Sequence, residues 1–112
     1  MIKATEALKQ TKKALKDREK RTMEWAFNEA EAYIDPQIRK AIAEYKMQTS
    51  YFWGAGIFKE ADIDVHEAID MIIEYLVGHG YTVKPLFNYT KEDSVKIIIY
   101  WENPTDTETR EE

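Results

Sequence analysis

DVHEAIDMIIEYLVGHGYTVKPLFNYTKEDSVKIIIYW, residues 64–101, holds a helix, a stop and a hairpin in one run. Val65, Ile69, Ile72, Ile73, Leu76 and Val77 recur at three- and four-residue spacing, the period of an amphipathic helix. Asp62 or Asp64 supplies the side-chain oxygen that caps its first turn. Gly78-His79-Gly80 stops it, because glycine takes the left-handed conformation common just after a helix end. Two strand-like runs follow, 81–89 and 94–101, joined by the polar turn Thr90-Lys91-Glu92-Asp93. In the second run Val95, Ile97, Ile99 and Trp101 line one face while Ile98 and Tyr100 make the other apolar as well. That pattern predicts a strand covered on both sides, at the sheet centre or at a subunit contact.

Upstream, Thr, Tyr, Phe and Trp over Gln48 to Trp53 favour a pleated, half-buried surface, so a further strand is expected there, ended by Gly54-Ala55-Gly56. If the final strand lies between the other two, it is antiparallel to both, and the first and second strands run parallel across it through a helical crossover. A small three-stranded sheet results, with the 64–78 helix on one face and either the Met23 to Tyr45 segment or a second subunit on the other.

Thr5 to Ile34 contains neither Pro nor Gly and is dominated by Ala, Leu, Lys, Glu, Gln and Arg, which predicts one long helix. Its first half has a thin stripe: Leu8 and Leu15 sit seven apart beside Ala4, Thr11 and Ala14. Such a stripe suits a partner helix better than a globular core. Met23, Ala26, Phe27, Ala30 and Ile34 then form a broad apolar face suited to docking on the body or on a neighbouring chain. Asp35-Pro36 reads as a restart, with Ile34 or Asp35 ending the first helix and an elbow leading into a short second helix to about Lys46. The fold class is α+β: a long N-terminal helix and a short second helix followed by a β-α-β-β unit. The expected divisions are a helical arm over 1–34, basic to about residue 21, a compact body over 35–104 and a disordered acidic tail over 105–112.

Charge divides along the same lines. The first 21 residues carry eight Lys and Arg against three Asp and Glu, a balance of +5. The remainder carries eight against eighteen, a balance of −10, so the net −5 hides a basic arm on an acidic body. Cysteine is absent, which excludes disulfides, thiolate metal sites and thiol nucleophiles and suits a reducing compartment. No apolar run reaches membrane-spanning length and no secretory leader is visible, so the expected setting is a cell interior or a particle assembled there, with no membrane partner and no secretion.

Candidate chemistry is sparse. Asp62, Asp64 and His66 are potential ligands two apart, but they sit at a helix start where Asp serves as a cap. His79 lies at a helix C-terminus, where imidazole is favoured by the helix dipole. Gly54-Ala55-Gly56 lacks the Lys-Ser/Thr of a phosphate-binding loop and reads as a turn. Carboxylate pairs such as Glu29 with Glu31, or Glu92 with Asp93, fit solvated charge patterns. Ser50 and Ser94 lack a nucleophile elbow. No catalytic, metal-binding or cofactor-binding residue is therefore assigned, and no enzyme activity or cofactor is expected.

The arm residues Lys9, Lys12, Lys13, Lys16, Lys20 and Arg21 could track phosphates. Asp17 and Glu19 interrupt them, however, and no aromatic interleaves, so an acidic protein surface is the favoured partner over nucleic acid. Tyr51-Phe52-Trp53 sends Tyr51 and Trp53 to one sheet face and Phe52 to the other, as core or as interface anchors. The expected interface set is Leu8, Leu15, Met23, Phe27, Tyr51, Trp53 and Tyr100. A small anionic ligand would need converging bases, for which Lys84, Lys96 and Arg110 are the candidates.

Ala7-Leu8-Lys9-Gln10 in a lysine-rich helix, Gly80-Tyr81-Thr82-Val83 after an amphipathic one, and the closing Ile97-Ile98-Ile99-Tyr100-Trp101 resemble, in layout, a broad class of small bacteriophage-encoded proteins. The class combines a charged N-terminal helix with a strand-helix-hairpin body. The resemblance implies a non-enzymatic phage protein acting by self-association and protein–protein contact, as a virion or assembly component. The alternative it implies is an inhibitor of a host protein or antiviral defence system by steric occlusion.

Overall fold

A computed structural model describes residues 1–54, 56–88 and 94–103. The turn expected at Thr90 to Asp93, Arg110 and the acidic tail lie outside the described residues, as does Ala55. The elements in chain order are α1 (Ala4–Glu29), a wide helical turn (Ala30–Ile34), α2 (Asp35–Ala43), β1 (Gln48–Trp53), α3 (Ile57–Ala61), α4 (Val65–Gly78), β2 (Thr82–Asn88) and β3 (Ser94–Tyr100). The sheet order is β1-β3-β2, with β3 antiparallel to both neighbours. This is the expected α+β architecture, with the last strand in the centre.

No elbow forms at Pro36. Ile34 and Asp35 both keep right-handed helical angles, and the Asp35 N–H reaches back five residues to the Ala30 carbonyl. Proline has no N–H and its ring crowds the carbonyl four residues earlier. A turn widened to the five-residue bond relieves that crowding without ending the helix. The wide turn also solves a packing problem. Thr22, Ala26, Ala30, Ile34 and Ile38 are all buried and all four residues apart. In an ideal helix each such step drifts about 40° around the axis. One extra residue in the wide turn takes back about 100° of that drift, so the stripe stays on the body from Thr22 to Ala41.

Trp53, Val95, Ile97 and Ile99 point into the core, against Ile69, Ile72 and Leu76 of α4 and Ile34 and Ile38 of the long helix. Strand alternation then sends Phe52, Lys96, Ile98, Tyr100, Lys84 and Leu86 to the opposite face. The helices pack on the inner face only. Phe52 is 60% exposed and Leu86 is exposed, so within one chain the central β3 is covered on its inner side, and the outer side is the one left to the second subunit that the sequence reading allowed. The short α3 was not anticipated; Gly56, at φ 90°, opens it in a conformation that favours glycine.

The first 17 residues run past the body. The radius of gyration is 17.4 Å, against about 13 Å for a compact chain of this length. Every one of those residues except Ala7 is exposed. From Thr22 onward the long helix packs into the core, as expected of a half suited to docking on the body.

Ile97→Ala should lower the unfolding free energy by about 2–5 kcal/mol in urea titration, the range for emptying a packed aliphatic site. Phe52→Ala, on the bare face, should change it by less than about 0.5 kcal/mol.

Candidate functional site

Two surfaces concentrate the features singled out in the sequence: the overhanging arm and the outer side of the α1 and α4 layer. Along α1, positions 4, 8, 11, 15, 18, 22, 25 and 29 alternate four- and three-residue steps, the spacing of a single helical seam. Thr22 is buried, and Arg18, Trp25 and Glu29 are partly buried against the body. The same seam continues outward through Leu15, Thr11, Leu8 and Ala4 with nothing packed on it; Leu8 and Leu15 are each 57% exposed.

The seam is anchored at its root. Arg21 Nη2 donates to the Asp62 carboxylate at 2.9 Å and to the Asp62 carbonyl at 3.2 Å. Arg21 follows the arm lysines in sequence, but this ion pair ties it to the α3–α4 connection. Arg18 lines a hollow of about 590 Å³ with Phe58, Asp62 and Asp64. The free cationic stretch is therefore Lys9, Lys12, Lys13, Lys16 and Lys20, all exposed.

Of the expected interface residues, Leu8, Leu15, Met23 and Phe27 are exposed, Tyr51 and Tyr100 are half-buried, and Trp53 is in the core at 1% exposure. Trp53 is thus no surface anchor in this chain. Its ring lies against Trp25, Tyr51 and Phe58, and its indole N–H donates to Glu29 Oε1 at 2.6 Å. Period-two alternation separates Trp53 from Phe52, yet only the position of the long helix decides which of them faces inward.

Met23 and Phe27, one turn apart on α1, meet α4 through the Phe27 ring, which lies edge-on to Tyr75 with centroids 5.8 Å apart. Met71 and Tyr75 are one turn apart on α4 and half-buried. Carboxylates border this apolar strip: Glu24 and Glu31 on the long helix, Glu67, Asp70 and Glu74 on α4. Neither 22–34 nor 65–78 contains a Lys or Arg, so the strip is the acidic counterpart of the arm. Sequence reading found its parts but not their adjacency, which only the α1 and α4 packing creates.

The titratable groups near the strip act structurally. Tyr75 donates its hydroxyl to Glu31, and that hydrogen bond to a carboxylate, more than burial, raises the phenol above its usual range. Tyr51 is raised mainly by burial, with Glu29 adding to it. His79 Nδ1–H donates to the Tyr75 carbonyl at 2.8 Å. Asp64 accepts the Glu67 N–H at 3.0 Å and caps α4, Asp62 is held by Arg21, and His66 stacks on Phe87 with centroids 4.8 Å apart. The three do not converge, and among the described residues no group of three His, Asp or Glu side chains could hold a metal ion. No described helix is long and apolar enough to cross a membrane.

Comparison with protein-family models, curated proteins and solved structures returns no match.

Glu29→Ala should strip a buried indole N–H of its acceptor and lower stability by about 1–3 kcal/mol, whereas Glu29→Gln, which keeps an acceptor oxygen, should lose less. Tryptophan-monitored denaturation of the two variants reads the difference.

Proposed function

We propose that the protein acts without catalysis, by associating with copies of itself, as a component of a virion or other assembled particle. The observation that carries this reading is the overhanging seam: a helix face that is buried from Arg18 inward continues through Leu15 and Leu8 uncovered. Arm-to-arm pairing would bring two stretches of +5 together. Pairing with the acidic strip brings opposite charges together and buries Leu8 and Leu15 on Met23, Phe27 and Met71. Charge complementarity of this kind steers encounter and sets register, while the apolar contact supplies affinity. The phage setting rests on the resemblance in layout alone.

The acidic layer itself supports a second reading. Five carboxylates, Glu24, Glu31, Glu67, Asp70 and Glu74, with no Lys or Arg among them on 22–34 and 65–78, could instead cover a basic site on a host protein, as expected of a steric inhibitor.

Light scattering after size exclusion tests the first reading. At an ionic strength of about 0.1 M the chain should elute as an oligomer, and at about 1 M, where screening shortens from about 10 to about 3 Å, it should shift toward monomer. A chain lacking residues 1–16, which spares Arg18 and Arg21, should stay folded and monomeric at both. A full-length monomer at high concentration and low salt contradicts the reading and leaves the inhibitor.

A further inference from the structure

We infer that the bare face of the sheet, with the groove at its β1 edge, is a binding site for single-stranded nucleic acid. Its registers are Phe52–Lys96–Leu86, Ser50–Ile98–Lys84 and Gln48–Tyr100–Thr82 across β1, β3 and β2. None of these nine outward positions is a carboxylate, although the chain carries 21 Asp and Glu. Lys84 sits opposite Ile98, two residues from Lys96, so the two lysines are diagonal neighbours about 7–8 Å apart. Like charges so placed on one sheet face repel, and an anion between them removes that cost.

The lysines continue off the sheet. Between α2 and the edge of β1 lies a groove of about 450 Å³ into which Lys40, Lys46 and Lys96 project beside Gln37, Gln48 and Ser50. Its carboxylate, Glu44, is paired with Lys46 at 3.0 Å and also interacts electrostatically with Lys40, so three lysines face one carboxylate in the groove. A positive groove that tracks a backbone, next to a flat face with exposed aromatics, is the arrangement that holds single strands. Phosphates would follow Lys40, Lys96 and Lys84, and a base would stack on Phe52, the most exposed large apolar side chain among the described strand residues. A duplex keeps its base faces stacked inside and cannot use Phe52. The site does not depend on the arm or on self-association.

Fluorescence anisotropy with labelled thymidine and uridine homopolymers, and with a duplex of equal length, tests this on the full chain. Single strands should bind at least about tenfold more tightly than duplex. Because about three lysines contact phosphate, the logarithm of affinity should fall with log salt at a slope of about −2. The ratio between the two homopolymers assigns the site to DNA or RNA. Lys84→Glu with Lys96→Glu should weaken binding more than tenfold, and Phe52→Ala about fivefold or more. Lys9→Glu, Lys12→Glu and Lys16→Glu together should leave it within about twofold. If the double reversal fails to fold, Lys96→Ala alone should still weaken binding with an unchanged circular dichroism spectrum. Absence of single-strand binding, a preference for duplex, or loss that follows the arm substitutions instead of the sheet substitutions overturns the inference. So does binding of polyglutamate in place of oligonucleotide.

Discussion

The four-residue stripe of Thr22, Ala26, Ala30, Ile34 and Ile38 has to stay on the body, and the rest of the architecture depends on that constraint. Small side chains at 22, 26 and 30 let α1 approach closely, and Ile34 and Ile38 fill the space over the sheet. The helix can meet the constraint because the turn at 30–34 widens at Pro36 and returns the stripe to the same side. Trp53 then reaches Glu29 on the helix flank, joining β1 to α1 by a partly buried hydrogen bond. With the long helix and α4 both on the inner face, the outer face of the sheet is left bare and the first four turns of α1 are left without a body beneath them.

That arrangement sorts charge into three sectors. The overhanging arm is cationic, the outer side of the α1 and α4 layer is anionic, and the bare sheet face with its β1 groove is cationic again. A net charge of −5 describes none of them. Opposite sectors on one chain favour head-to-tail or reciprocal contact between copies, since each copy offers both halves of the contact. The lysine face of the sheet points elsewhere and is available to a different, anionic partner.

Apart from α3, the element order was legible in the sequence because the α4 stripe has an unambiguous helical period and the run Ile97–Tyr100 is rich in β-branched and aromatic residues. The composition of β3 suited either the sheet centre or a subunit contact, and the strand order places it in the centre. Continuity of the long helix did not, because Asp35-Pro36 carries every local sign of a restart; the opposing signal, strict four-residue spacing of apolar positions across it, makes sense only with a widened turn. Trp53 and Phe52 could be assigned to opposite faces but not to inside and outside. Arg21 looked like one more arm cation until its partner, 41 residues away, was in place. Lys40, Lys46, Lys84 and Lys96 are scattered over three elements and the loop between α2 and β1, and only the strand register and α2 packing bring them to one face.

The central claim is that the arm of one copy lies along the acidic strip of another. The chain has no cysteine, so single labels can be placed without background. Spin labels at Lys12→Cys on one preparation and Asp70→Cys on another, mixed and measured by pulsed dipolar spectroscopy, read the contact directly. The account predicts strong coupling between unlike labels at a short distance, as for helices with axes about 8–10 Å apart. No coupling between them at concentrations where the chain is oligomeric would contradict it.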